Sequence, residues 1–185
     1  NPSTPARVLK QLAEDENFDV KMTVARNPST SGEVLKQLAE DKYIGVKMAV
    51  AKNPFTPAEV LKQLADDKLI DVKMSVAGNP STPAEVFKQL AEDEDIGVKM
   101  TVARNPSTPA EVLKKLAKNN DSRLEVPLAS NQRTPTNILE QLAVEGAEDV
   151  RMAISKNPSA PFDVLRRLAG DKVDEIRYGA LETLL

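Results

Sequence analysis

The chain contains no cysteine, histidine or tryptophan, and aromatic residues make up only 3% of its 185 residues. Without thiolates and imidazoles it lacks the usual protein ligands of zinc, haem and iron–sulfur clusters, and the side chain most used in acid–base catalysis. No apolar run approaches the roughly 18 residues of a membrane span, and no signal peptide opens the sequence. We therefore expect a cytoplasmic protein with no cofactor, no bound metal and no membrane partner.

A large excess of one charge is also missing, because 25 Lys and Arg stand against 28 Asp and Glu, for a net charge of −3. A chain built mainly to bind polyanions usually carries a strong positive excess. Glycine is scarce, with seven residues, and none of them forms a glycine-rich phosphate loop. The carboxylates are spread along the chain rather than gathered in one place, so we expect that the protein is not an enzyme.

The sequence does contain a repeat of 26 residues with no insertion or deletion. Each copy begins with an asparagine, and the seven copies begin at residues 1, 27, 53, 79, 105, 131 and 157. Counted from that asparagine, the pattern is N-P-x-T-P-x-E-V-L-K-Q-L-A-x-D, four variable residues, then V-K-M-x-V-A-x. Such spacing is typical of stacked units that contact only their neighbours. We predict a single repeat array over residues 1–185.

The first half of each repeat predicts an α-helix. In the third copy Thr56 would be the N-cap, Pro57 the first helical residue and Glu59 the third, so that Thr and Glu satisfy free amides reciprocally. Apolar residues at repeat positions 8, 9, 12 and 13 form one stripe, and charged residues occupy the opposite face. Exposure to water is enough to explain the charged residues on that face, and we assign them no binding role.

The second half predicts a short helix over positions 19 to 26, which ends at the next Asn-Pro. At 100° per residue, positions 18, 22 and 25 lie on one side and positions 20 and 24 on the other. A helix that is apolar on two faces is sandwiched between other helices, which leaves positions 19, 23 and 26 open. The prediction is an all-α fold, an α-solenoid: a superhelix of seven 26-residue two-helix repeats whose second helix is short and α-helical, with a 3₁₀ turn allowed at one end.

The pattern resembles the leucine-rich repeat variant family, because Asn-Pro, Thr-Pro and Leu-Ala-x-Asp stand in fixed register in most copies, and the resemblance extends over all seven copies. The resemblance implies a superhelix of alternating α- and 3₁₀-helices with a scaffold or interaction role. The spacing from Asp15 to Lys21 is also similar to HEAT repeats, a second family that the pattern resembles.

Basic residues recur at position 21 and could follow a phosphate backbone, which makes nucleic-acid binding the alternative function. An Asp usually lies six residues earlier, as Asp15 precedes Lys21, and in the fifth copy Asn119 and Glu125 replace both charges. This pairing favours an internal ladder of ion pairs over a phosphate track. The basic residues of this alternative site are Lys21, Lys47, Lys73, Lys99, Arg151 and Arg177.

The open positions 19, 23 and 26 are the better candidates for recognition, because their charges vary while the surrounding framework repeats. Position 23 is always small or proline, which would let another chain approach closely. Drift on a solvated surface would give the same variation. The candidate residues for a protein or peptide partner are Asp19, Thr23, Arg26, Lys52, Asp71, Arg104, Arg123, Pro127 and Lys156.

Other recurrent residues are expected to be structural. Methionine at position 22 should fill space between repeats, and the asparagine at position 1 should cap carbonyls of the preceding helix. Pro127 should shorten or kink its helix. The first residue is Asn rather than Met, and Val8, Leu9 and Leu12 of the first copy are expected to face solvent on the side where a preceding repeat would lie. We expect either further protein outside this sequence or end-to-end self-association.

Overall fold

The computed structural model describes all residues from 1 to 185 and consists of α-helices with one 3₁₀ turn. The first helices of the repeats are α1 (Ala6–Leu12), α3 (Gly32–Leu38), α5 (Ala58–Ala65), α7 (Ala84–Leu90), α9 (Ala110–Ala117), α11 (Thr136–Glu145) and α13 (Phe162–Leu168). The second helices are α2 (Phe18–Arg26), α4 (Ile44–Lys52), α6 (Ile70–Ala77), α8 (Ile96–Arg104), α10 (Glu125–Ser130), α12 (Glu148–Ser155) and α14 (Asp174–Leu184). The predicted all-α solenoid is confirmed. None of these helices has the length and apolar character that crossing a bilayer requires.

The chain divides into two compact units, residues 1–98 and residues 99–185. In the first unit the second helices α2, α4 and α6 lie side by side, and α5 packs against α6. In the second unit α10, α12 and α14 lie side by side in the same way, and α13 packs against α14. Within each unit the second helices therefore form one layer, and the first helices cover it.

Burial follows the predicted apolar stripes. In α5 the residues Val60, Leu61, Leu64 and Ala65 are all buried, as expected for positions 8, 9, 12 and 13. In α4 and α12, which have a second helix on both sides within their unit, positions 20, 24 and 25 are buried. Removing this apolar surface from water supplies the main driving force for stacking the repeats.

The second helices are α-helical, as the apolar pattern predicts, rather than 3₁₀-helical as the resemblance implies. The 3₁₀ turn lies in the fifth repeat, at Ser122–Leu124, directly before α10. Pro127 is the third residue of α10, where the missing amide hydrogen loses no helical bond. The proline is accommodated by a shorter helix with a 3₁₀ entry.

The capping role expected of Thr56 is wrong. Thr56 is buried, and its hydroxyl donates to the carbonyl oxygen of Val50 at 2.6 Å. No side chain caps α5, which begins directly after Pro57. The carbonyl near the end of α4 is enclosed in the core, where leaving it without a donor would cost more than leaving an exposed helix start uncapped. The same bond recurs at Thr30, Thr82, Thr108 and Thr134.

The asparagine at position 1 joins successive repeats. The Nδ2 of Asn53 donates to the carbonyls of Ala25 at 2.7 Å and Asn27 at 3.1 Å, and its Oδ1 accepts from the amide of Phe55. The expected capping of the helix directly before the asparagine is wrong, because both carbonyls belong to earlier repeats: Ala25 lies in α2, and Asn27 directly follows that helix. We call this set of bonds the asparagine ladder; it recurs in the second unit at Asn131 and Asn157.

Candidate functional site

The basic residues of position 21 form ion pairs, but with a different partner from the expected one. In the first unit Lys21 pairs with Asp41, Lys47 with Asp67 and Lys73 with Asp93, each at 2.7 Å from Nζ to Oδ2. In the second unit Arg151 pairs with Asp171 at 2.8 Å. Each Asp lies in the following repeat, twenty residues later, so the expected partner six residues earlier is wrong. The second helix lies beside the interhelix segment of the next repeat, which brings these charges together.

These pairs are partly buried, and in three of them the pKa of the aspartate carboxyl is lowered. Burial raises the pKa of the Asp41 carboxyl, but the hydrogen bond from Lys21 and a backbone bond from Tyr43 outweigh it, so the pKa is below its usual value. The same balance lowers the pKa of Asp67. The hydrogen bond from Arg151 is the largest cause that lowers the pKa of Asp171. The carboxylates therefore remain ionised beside their cations, and the geometry does not favour a phosphate track here.

The ladder of ion pairs is interrupted in the second unit. Glu125 stands at position 21, and Glu145 stands at the place where an Asp would receive a cation from it. The two carboxylates line one cavity of about 170 Å³ whose apolar wall includes Leu116 and Ile138. The two charge changes of the fifth copy therefore belong to different junctions between repeats and do not compensate each other. No three His, Cys, Asp or Glu side chains come close enough together to hold a metal ion.

Restoring a cation at this junction should stabilise the chain. We expect Glu125→Lys to raise the free energy of unfolding by about 0.5–1 kcal/mol, because the half-exposed ammonium would face Glu145. Urea denaturation followed by circular dichroism at the helical band measures the change. Glu140→Lys makes the same charge change on the exposed face of α11 and should have little effect. Equal stabilities of the two variants would contradict the pairing.

Only some of the residues expected to be open to solvent are exposed in the structure. Positions 19 and 26 are exposed at Asp19, Arg26, Lys52, Asp71, Arg104 and Lys156. Position 23 is exposed at Thr23 but buried at Ala49, Ser75, Pro127 and Gly179, so the expectation of an open position 23 is wrong there. Adjacent second helices approach each other at this position, and a side chain on Gly179 would lie 2.6 Å from the Ser155 hydroxyl. Small residues at position 23 serve helix packing.

Arg123 is exposed, but its guanidinium is already held by Asp121. The Nε donates to Asp121 Oδ1 at 3.0 Å and an Nη donates to Oδ2 at 2.7 Å. These bonds, followed by a smaller attraction from Lys99, lower the pKa of Asp121. Of the candidates in the second unit, Arg104 and Lys156 keep exposed positions on the second helices, and Pro127 does not.

The methionines at position 22 contribute to this face, although the sequence favoured a purely structural role for them. They pack between neighbouring second helices, as expected, but each remains partly exposed. The sulfur of Met22 lies 3.5 Å from the site that a Cβ of Gly45 would occupy. Between α4 and α6 a shallow groove is lined by Met48, Met74 and Ser75, together with Lys52 and Asp71. In the sequence, this exposure is indicated by the glycine at position 19 of the second and fourth repeats, which leaves Met22 and Met74 without a side chain over them.

No described protein family and no curated protein matches the chain in sequence. A solved structure described as a leucine-rich repeat variant with a novel repetitive structural motif is similar over 98% of this chain and 72% of that chain, with 26% identity and a TM-score of 0.64. An engineered protein is 20% identical at a TM-score of 0.44, covering 97% of this chain and 94% of that one. A designed armadillo repeat protein is 12% identical at a TM-score of 0.40, covering 97% and 98%. The first comparison confirms the resemblance to leucine-rich repeat variants.

Proposed function

We propose that this helical repeat protein is a non-enzymatic scaffold that binds another protein or a peptide along the face formed by its second helices. The groove between α4 and α6 is the observation that carries the proposal. Its floor is apolar, and two charged side chains, Lys52 and Asp71, lie beside it. Lys52 and Asp71 are exposed and form no ion pair within the chain. A repeat scaffold with such a face binds its partner non-covalently on a preformed surface, and no chemical step is needed.

The groove is suited to a polypeptide segment. Met48 and Met74 present flexible, polarisable side chains that adapt to apolar residues of different shape. Lys52 ends α4 and Asp71 lies in the first turn of α6, so the groove has a cation and an anion to align the polar groups of a bound segment. The asparagine ladder and the ion pairs already hold neighbouring repeats in place, which reduces the ordering cost of binding.

The charges at the ends of the second helices distinguish this face from the rest of the surface. Arg26 and Lys52 occupy the last position of α2 and α4 in the first unit. In the second unit Arg104 and Lys156 are exposed at the same repeat position. Each unit therefore offers cations at the carboxyl ends of its second helices, where they also complement the helix dipole.

Selection of peptides from a random displayed library against the intact chain tests the proposal. We expect selected peptides to bind the double variant Arg26→Glu, Lys52→Glu about tenfold more weakly, the loss expected when a central charged contact is reversed. The matched control Lys36→Glu, Lys62→Glu makes the same charge change on exposed positions of α3 and α5 and should bind as the unchanged chain does.

Two results would overturn the proposal. The first is a selection whose peptides bind both double variants equally, which would place recognition away from the second helices. The second is tight, steeply salt-dependent binding of mixed-sequence DNA or RNA measured by fluorescence anisotropy, which would show that the basic residues are available to phosphates.

A further inference from the structure

Five large apolar residues of the first unit are exposed together. Phe18, Tyr43, Ile44, Leu69 and Ile70 each leave between 37% and 46% of their surface in contact with solvent. Phe18, Ile44 and Ile70 are the first residues of α2, α4 and α6, while Tyr43 and Leu69 directly precede α4 and α6. We call these five residues the apolar ridge. Contiguous exposed apolar surface of this kind usually marks an interaction site.

The ridge crosses from the first repeat to the second. The ring centroids of Phe18 and Tyr43 are 5.4 Å apart, although the two residues belong to different repeats. The asparagine ladder and the ion pairs Lys21–Asp41 and Lys47–Asp67 keep these repeats in register, so the starts of the three second helices lie along one edge.

Packing of the repeat does not require these apolar side chains. At position 18 the second unit carries Ser122, Glu148 and Asp174, and its repeats still form a first helix and a second helix. The polar residues at this position show that the architecture tolerates them. The apolar residues at position 18 of the first three repeats, Phe18, Ile44 and Ile70, therefore need an explanation other than folding.

The surroundings of the ridge are acidic. The interhelix segments and helix starts beside it carry two exposed ammonium groups, on Lys42 and Lys68. Lys42 lies over the ring of Tyr43, 5.0 Å from its centroid. The exposed carboxylates of the same edge are Glu14, Glu16, Asp19, Glu40, Asp71 and Glu94. After the aspartates that pair with Lys21, Lys47 and Lys73 are set aside, the edge still has a negative excess.

We infer that the apolar ridge is the docking site of a basic amphipathic helix of another protein, whose apolar side covers the ridge and whose Lys or Arg residues face the surrounding carboxylates. This inference rests on the proposed function, that the chain is a binding scaffold, but its apolar contacts are made by different residues. The negative excess repels anionic membranes, nucleic acids and a second copy of the same edge. The exposed aromatic ring of Phe18 also suits a cationic side chain.

The length of the ridge sets the length of the partner. Packed helices are about 8–10 Å apart, so three repeats present a ridge of roughly 20–30 Å. An α-helix rises 1.5 Å per residue, so about 14–20 residues would cover that distance. A helix of this length places apolar residues along one side at spacings of three and four residues.

A designed peptide pair tests the inference with the intact chain. One fluorescein-labelled peptide of about 18 residues carries Leu on one helical side and Lys elsewhere, and its partner carries Glu in place of Lys. At roughly physiological salt we expect the Lys peptide to bind and the Glu peptide not to bind, because charge reversal removes the attraction. The double variant Tyr43→Ser, Leu69→Ser should bind the Lys peptide at least about tenfold more weakly.

Phe55→Ser is the matched control, because Phe55 is 62% exposed in the first unit but lies in an Asn-Pro turn away from the ridge. It should leave the affinity for the Lys peptide unchanged. If the double variant Tyr43→Ser, Leu69→Ser bound the Lys peptide with unchanged affinity, general charge attraction would explain the binding, and the inference would be overturned. Equal binding of the Glu peptide would overturn it too, as would ridge-dependent binding to phosphatidylcholine vesicles or ridge-dependent dimerisation. None of these results alters the library test at Arg26 and Lys52, so the two proposals can fail separately.

Discussion

Replacement of Asn53 by alanine is expected to lower the free energy of unfolding by about 3 kcal/mol, one of the largest losses available from a single polar side chain in this chain. Asn53 is 3% exposed and makes three hydrogen bonds. Alanine would leave the carbonyls of Ala25 and Asn27 without their donor and the amide of Phe55 without its acceptor. A buried backbone group without a partner costs far more than a hydrogen bond normally contributes.

The loss should depend on burial and on the number of repeats joined. Asn27 stands at the same repeat position, but it is only partly buried and donates to one carbonyl, that of Asn1, at 3.0 Å. We expect Asn27→Ala to cost about 1 kcal/mol or less, because water can reach the groups it leaves behind. Urea denaturation followed by circular dichroism compares the two variants. Equal losses would show that the asparagine acts as a local turn residue and not as a connection between repeats.

Loss of the ion pair between Lys47 and Asp67 should have the second largest effect. Their side chains are 24% and 12% exposed, and Nζ lies 2.7 Å from Oδ2. Lys47→Met removes the charge but keeps the apolar stem, and Asp67→Asn keeps the acceptor for the amide of Leu69. We expect each single variant to cost about 1–2 kcal/mol, because each leaves a partly buried charge without its partner.

A double-mutant cycle identifies the partner. The coupling energy between Lys47→Met and Asp67→Asn should be about 1 kcal/mol or more, while the coupling between Lys47→Met and Asp41→Asn should be close to zero. Asp41 lies six residues before Lys47 but pairs with Lys21. A coupling with Asp41 as large as that with Asp67 would contradict the assignment of these pairs to adjacent repeats.

The helices could be predicted from the sequence because their signals are local. Two of these signals are the apolar stripe that contains Leu61 and Leu64 and the Asn-Pro that follows five of the seven second helices. Residues at helical spacing share a face whatever surrounds the helix. The same local reasoning misplaced the hydroxyl of Thr56, because a buried carbonyl of Val50 competes for it and the competition exists only in the folded chain.

The pairing partners could not be predicted because the repeat makes two answers equivalent. With a period of 26 residues, a partner six residues before Lys47 and one twenty residues after it occupy the same repeat position, as Asp41 and Asp67 show. A regular repeat therefore indicates that two positions interact without indicating which copies do so. The stacking of helices in three dimensions selects the later one.

The exposure of the candidate binding residues could also be predicted only where it depends on the geometry of a single helix. The open character of positions 19 and 26 followed from helical geometry, and Asp19, Arg26, Lys52 and Asp71 are exposed. The burial of Ser75, the partial exposure of the methionines and the apolar ridge depend on how closely adjacent second helices approach.

The sequence by itself determined the period, the two helices of each repeat, the residues of the core and the all-α solenoid, because these depend on contacts that recur within each copy. The tertiary structure alone decided which repeat supplies each hydrogen-bond or ionic partner and which side chains remain exposed. Those features depend on distances between copies, and a repeated sequence carries the same residues at the same position in every copy.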